Sequence, residues 1–292
     1  MNEKIIIGKL MEEINIKLSE KPGVFKLEYE VLEKNNRTPV HAIRINKNSN
    51  SVWFNIYIDR LINDLSQGDI TFTDAAKKII KAYDESRCDI LISGKTIENF
   101  ASPERVLAKV RFAVINTKLN SSLLREVPHF DFMDLSAIYK IDVSMGFQQE
   151  GAITINNGLM KSLELTETDL RKAAMKNMKG AFTCKSMLSV LGLPFVDILS
   201  DMYLVGNSTA IDGAAVLLFP ECFEMLAQLL DRDLFILPSS IHEVIAVRAN
   251  ADKISTYKEI VQSVNQFDLE PTELLSDSVY LYSRETKTIT MV

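Results

Sequence analysis

Apolar residues recur at Ile6, Leu10, Ile14 and Leu18, the spacing of a single helix face, until "KPG" at 21–23 ends the run. The next stretch, "VFKLEYEVLEKNNRTPVHAIRIN", alternates apolar and polar on both sides of "KNNR", the pattern of an exposed β-hairpin. In "SVWFNIYIDRLINDLSQG", Trp53, Ile56 and Tyr57, then Leu61, Ile62 and Leu65, fit one helical face that closes at Gly68. "TFTDAAKKIIKAYDES" predicts another helix. "SPERVLAKVRFAVINTKL" predicts a third: Ser102 can cap it, Pro103 occupies its first position, and Glu104 complements its dipole. Val106, Val110, Ala113 and Val114 would form its core stripe.

From residue 130 the period changes. "FMDLSAIYKIDV" and "GAITIN" read as paired strands, "MYLVGN" as another, and "LFIL" and "VIAV" as two more. Between them, "LTETDLRKAAMKNM" is a helix opened by Thr166 and Asp169, and "PECFEMLAQLLD" is one with Pro220 at its start. "DKISTYKEIVQSVNQF" is helical, and "SVYLYSRETKTITMV" folds back around "RETK". Strands that follow one another across short turns pair antiparallel. The expected fold class is therefore α+β: a hairpin plus helical region over 1–125, then an antiparallel sheet with packed helices over 126–292.

Composition narrows the functional classes. A net charge of −6, with no Lys/Arg run longer than two, offers no polycation for a phosphate backbone, so nucleic-acid binding is not expected. Three widely separated cysteines, Cys88, Cys184 and Cys222, exclude a disulfide framework and a thiolate zinc site. The longest apolar run, "GAAVLLF" at 213–219, is about a third of a membrane span, and the N-terminus has no secretory apolar core. A soluble, cytoplasmic protein without membrane attachment is expected. The glycines contain neither a dinucleotide nor a P-loop pattern, so no cofactor is expected.

The densest chemistry is "LPSSIHEV" at 237–244, where Ser239, Ser240, His242 and Glu243 bring hydroxyls, an imidazole and a carboxylate together. As a site, a serine would attack, His242 would take its proton and Glu243 would orient the ring. As a turn, Pro238 would fix one φ and the hydroxyls would satisfy local amides. No GxSxG elbow accompanies the serines, and the turn is the favoured reading. "PHFDFMD" at 128–134 supplies His129, Asp131 and Asp134, a chemically suitable metal trio that lacks the spacing of a known ligand motif. "DRD" at 231–233 reads as a helix-end turn. Trp53, Phe54 and Tyr57 at helical spacing read as core, and Met187, Met202 and Met225 as gap-fillers.

The passages "SVWFNIYIDRLINDLSQGDITFTDAAKKIIKAYDES", "FDFMDLSAIYKIDVS", "GAITINNGLMKSLELTETDLRKAAMKNM" and "MYLVGNSTAIDGAAVLLFPECFEMLAQLLDRDLFILPSSIHEVIAV" together resemble a family of uncharacterised proteins from gut Gram-positive bacteria, often met with mobile-element cargo. The resemblance covers roughly residues 20–285 and implies no activity, ligand or catalytic residue. It does imply that "PSSIHE" is typical of the group. The functional expectation is a non-enzymatic protein that binds another protein or a small molecule, with an accessory role on a mobile element as its setting. The alternative is a hydrolase-like enzyme built on Ser240, His242 and Glu243.

Overall fold

The computed structural model describes residues 2–47, 54–92, 102–144, 150–194, 199, 201–238 and 240–292, with backbone alone for 54, 85–92, 143–144 and 150–151. The chain forms two compact units, one of residues 1–99 with 144–151 and one of 100–143 with 152–292. The change of period near 120–130 falls within the second. The α+β expectation holds: among the described residues the chain forms antiparallel sheets of three, four and six strands.

In the first unit, α1 (Glu3–Ser19) starts where Asn2 accepts the amide of Lys4. Its Ile6, Leu10, Ile14 and Leu18 are buried, as their spacing predicts. They pack against Ile43 and Ile45 of β2 (Pro39–Lys47) and against Ala76, Ile79 and Tyr83 of α3 (Phe72–Ile92). The hairpin of β1 (Phe25–Glu33) and β2 runs in unbroken register from Phe25 opposite Lys47 to Glu33 opposite Pro39. Asn36 at its tip has φ 60°, a left-handed position that asparagine tolerates better than most residues.

Two segments depart from their periodicity. Residues 54–57 form a third strand, β3, on the free edge of β2; the helix α2 (Asp59–Gln67) starts only afterwards and ends at Gly68 with φ 84°. Trp53 lies outside the described residues. In the second unit, the helix after Ser102 stops at Lys109 (α4, Pro103–Lys109), and β4 occupies Val110–Asn116. The reason is burial on both faces. Val110, Phe112 and Val114 enter the main core, while Ala113 and Ile115 enter a second cluster with Leu124, Val127 and Ile138. A strand buried on both sides loses its alternation and imitates helical spacing.

The four-stranded sheet runs β4–β6–β5, with β5 spanning His129–Phe132 and β6 spanning Leu135–Ser144; β7 (Glu150–Thr154) also pairs with β6. A short helix, α5 (Ser121–Leu124), precedes β5, and α6 (Asn157–Ser162) follows β7. Helix α7 (Glu167–Met178) lays Leu170, Ala174 and Met178 into the main core. Its capping box is complete: Thr166 accepts the Asp169 amide and Asp169 accepts the Thr166 amide. Thr166→Ala is expected to remove about 1 kcal/mol of stability, read as a lower urea midpoint at unchanged slope.

The six-stranded sheet takes the order β13–β12–β10–β11–β9–β8. These are β8 (Phe182–Ser186), β9 (Met202–Asn207), β10 (Leu234–Leu237), β11 (Glu243–Arg248), β12 (Tyr280–Tyr282) and β13 (Ile289–Met291), with the short helix α8 (Met187–Leu191) after β8. Helix α9 (Glu221–Leu230) adds Phe223, Leu226 and Leu230 to the core on one face. Val261 of α10 (Ile254–Phe267) joins Phe235, Leu237 and Val247 on the other. Among the described residues no helix is long and apolar enough to cross a membrane.

Candidate functional site

The stretch at 237–244 joins two paired strands, β10 and β11. Ser240 is buried, and its amide donates to the carbonyl of Glu243 at 3.3 Å. Its hydroxyl accepts the His242 amide at 3.0 Å and donates to the Glu243 carboxylate at 3.0 Å. The ring of His242 turns to a different partner: Nδ1 accepts the backbone N–H of Asp212 at 3.2 Å. An amide can only donate, so a neutral ring carries its proton on Nε2, which stands 3.8 Å from the Glu273 carboxylate. The structure thus brings Ser240 and Glu243 together and directs the imidazole to another loop. Ser239 lies outside the described residues.

That other loop holds a group the sequence does not advertise. Asp212 has φ 53° and is 3% exposed. Its carboxylate accepts from Arg111 at 2.7 Å and from Lys140 at 3.0 Å. Arg111 and Lys140 are cross-strand partners on β4 and β6, and Arg111 also donates to Asp142 at 2.6 Å. Burial acts to raise the Asp212 carboxyl, but Lys140 and Arg111 together outweigh it and hold the group below the usual carboxylate range. The one sequence signal is a charge placed immediately before the longest apolar run. His242 therefore anchors the backbone that carries this ion cluster.

The trio at 128–134 divides. His129 and Asp131 share a face of β5, with Nε2 4.0 Å from the carboxylate. Asp134 follows Met133, whose φ of 54° reverses the chain, and accepts the hydroxyls of Ser276, Ser278 and Tyr280 at 2.5, 3.1 and 2.8 Å. Among the described residues, no three His, Cys, Asp or Glu side chains are placed to hold a metal ion.

His129 and Asp131 line an open groove of about 680 Å³ with Thr117, Ser121, Arg125, Asn157, Met160 and Glu167. Hydrogen bonding around the groove shows which atoms of these side chains the fold leaves unengaged. Nδ1 of His129 meets the Val127 carbonyl at 3.0 Å, so Nδ1 carries a proton and, in the neutral ring, Nε2 is an acceptor. Ser136 donates to Oδ1 of Asp131 at 2.6 Å, and Thr117 bonds Ser136 behind it. The Asn157 amide nitrogen donates to the Arg125 carbonyl at 3.1 Å, which leaves its oxygen and its second N–H. Tyr139 donates to Oε1 of Glu167. Burial first, then the bond to Glu167, push the Tyr139 hydroxyl far above its ordinary range, so it remains a donor. The guanidinium of Arg171, one turn along α7, stacks 3.7 Å over Phe130.

In the first unit, a hydroxyl and an imidazole do meet, from residues that sequence spacing leaves unconnected. Tyr29 Oη lies 2.6 Å from His41 Nδ1, and Nε2 lies 3.7 Å from Glu3 and 4.0 Å from Asp59. Asp59 also accepts the His41 amide at 3.1 Å. Hairpin register creates the pair, because Tyr29 opposes Ile43 and His41 opposes Val31, a diagonal on one face. Burial, then Glu3 and Asp59, raise the Tyr29 hydroxyl, which opposes a reactive phenolate. The two described thiols are equally unsuited to attack: burial raises Cys184, and burial followed by Glu221 pushes Cys222 up to about 11.

A family model described as a family of unknown function (DUF5688) matches residues 6–284. No curated protein and no solved structure matches the chain.

Proposed function

The chain belongs to the family of unknown function DUF5688; because membership brings no activity with it, we propose from the geometry that the protein works by binding, holding a small polar ligand in the groove beside His129. The carrying observation is convergence: several side chains that already bond the fold, and still hold unengaged acceptors, line one concave surface. Pre-oriented polar groups in a groove of this size are what a small-molecule site requires.

The hydrolase alternative asks the His242 ring to activate Ser240. The hydroxyl instead bonds Glu243 and a local amide, and the ring holds Asp212, which supports the non-enzymatic reading. An accessory role on a mobile element accompanies the proposal as what the resemblance implies, and a cytoplasmic setting as the expectation read from the sequence.

The test is a screen of amines, carboxylates, phosphates and neutral polyols by backbone amide NMR. At least one class is expected to shift residues around His129 and Asn157 saturably, with His129→Ala weakening it about tenfold, or 1.4 kcal/mol. Silence of the groove across every class would end the reading. So would a hydrolytic turnover that disappears in a folded His242→Ala variant.

A further inference from the structure

We propose that the ligand of this groove is a small organic cation bearing ammonium or guanidinium groups, an inference that rests on the groove being a binding site. The reason is the sign and hydrogen-bonding sense of its wall. Its lining residues carry four acceptors that the fold leaves unengaged: Nε2 of His129 in the neutral ring, whose proton sits on Nδ1 against Val127; the second oxygen of Asp131; the second oxygen of Glu167; and the amide oxygen of Asn157. Two of the four are carboxylates.

Beside these acceptors a phosphate or carboxylate would face like charge and lone pairs and would lose its hydration without replacement. An ammonium brings three donors and a guanidinium five, all positive, which matches four acceptors and two negative charges. Arg125 is the opposing feature, an exposed guanidinium at the same groove. It bounds the cation's reach and repels a second one. About 680 Å³ accommodates a chain the size of a diamine or agmatine and excludes nothing smaller.

The experiment titrates the full chain with putrescine, agmatine and spermidine, and in parallel with inorganic phosphate, acetate and zinc chloride, following the groove by NMR and affinity by calorimetry. At least one amine is expected to bind saturably at the groove and to weaken as salt rises. Asp131→Asn and Glu167→Gln are expected to weaken it about tenfold each. Both carboxylates also accept bonds from the fold, so Arg125→Gln supplies the opposite sign: loss of this exposed guanidinium should tighten cation binding several-fold, which structural damage would not do. If phosphate or acetate fills the groove and the amines do not, the cation assignment falls while the binding function stands. Zinc uptake with displacement of the amines would likewise replace the assignment. If no probe moves the groove, both proposals fail together.

Discussion

Replacing Gly213 by alanine is expected to destabilise the second unit by about 3 kcal/mol or more. A Cβ at this position would stand 2.3 Å from the His242 carbonyl oxygen, 2.9 Å from the Asn207 nitrogen and 3.2 Å from the Gly206 Cα. All three are backbone atoms, so no rotamer change relieves the overlap. The loop that carries Asp212 must withdraw from the turn at 240–243. Withdrawal would break the bond from the Asp212 amide to the His242 ring and the one from the Ala214 amide to the Ile241 carbonyl. Gly8→Ala is the internal control. Gly8 lies inside α1 with nothing within 4 Å of its would-be Cβ, and alanine there should add roughly 0.5–1 kcal/mol. Urea melts of the two variants should therefore move in opposite directions. A Gly213→Ala midpoint equal to the parent's would show that the close approach of these two loops is not held.

Asp212→Ala should cost about 3–5 kcal/mol, the size expected when one member of a buried ion cluster is removed. Arg111 and Lys140 face each other across β4 and β6, and without the carboxylate they become a like-charged pair, relieved among the described residues by the exposed Asp142 beside Arg111. The same group makes a pH prediction. Lys140 and Arg111 keep the Asp212 carboxyl below its ordinary value in the folded chain, against about 3.9 when unfolded. A depressed acid contributes stability that is complete above the unfolded value and is lost as pH falls through the folded one. Parent stability should thus decline below about pH 4 more steeply than that of Asp212→Asn, which has no such proton to gain. Parallel declines would assign the acid sensitivity to other carboxylates.

Elements whose information is local can be read from the chain alone. The buried stripe of α1, the hairpin around "KNNR", the capping box at Thr166 and the C-terminal hairpin each need only neighbouring residues, and each stands where its pattern places it. Residues 54–57 and 110–116 do not: the first is a strand because it pairs with the edge of β2, and the second because segments from far along the chain cover both of its faces. The groove shows both cases. His129 and Asp131 share a face by strand alternation alone, whereas Glu167 and Asn157 reach it only through packing, and Asp134 leaves it because one left-handed residue intervenes.

Local periodicity, capping and charge thus determine an α+β chain with no polycation and no long apolar span. Tertiary structure alone decides which hydroxyl meets which imidazole. Tyr29 reaches His41 through strand register; Ser240, two residues from His242, has its hydroxyl drawn to Glu243 and the ring drawn to Asp212. The physical reason is that a hydrogen bond depends on where an atom points in space, and for buried side chains that direction is imposed by distant segments competing for the same donors and acceptors.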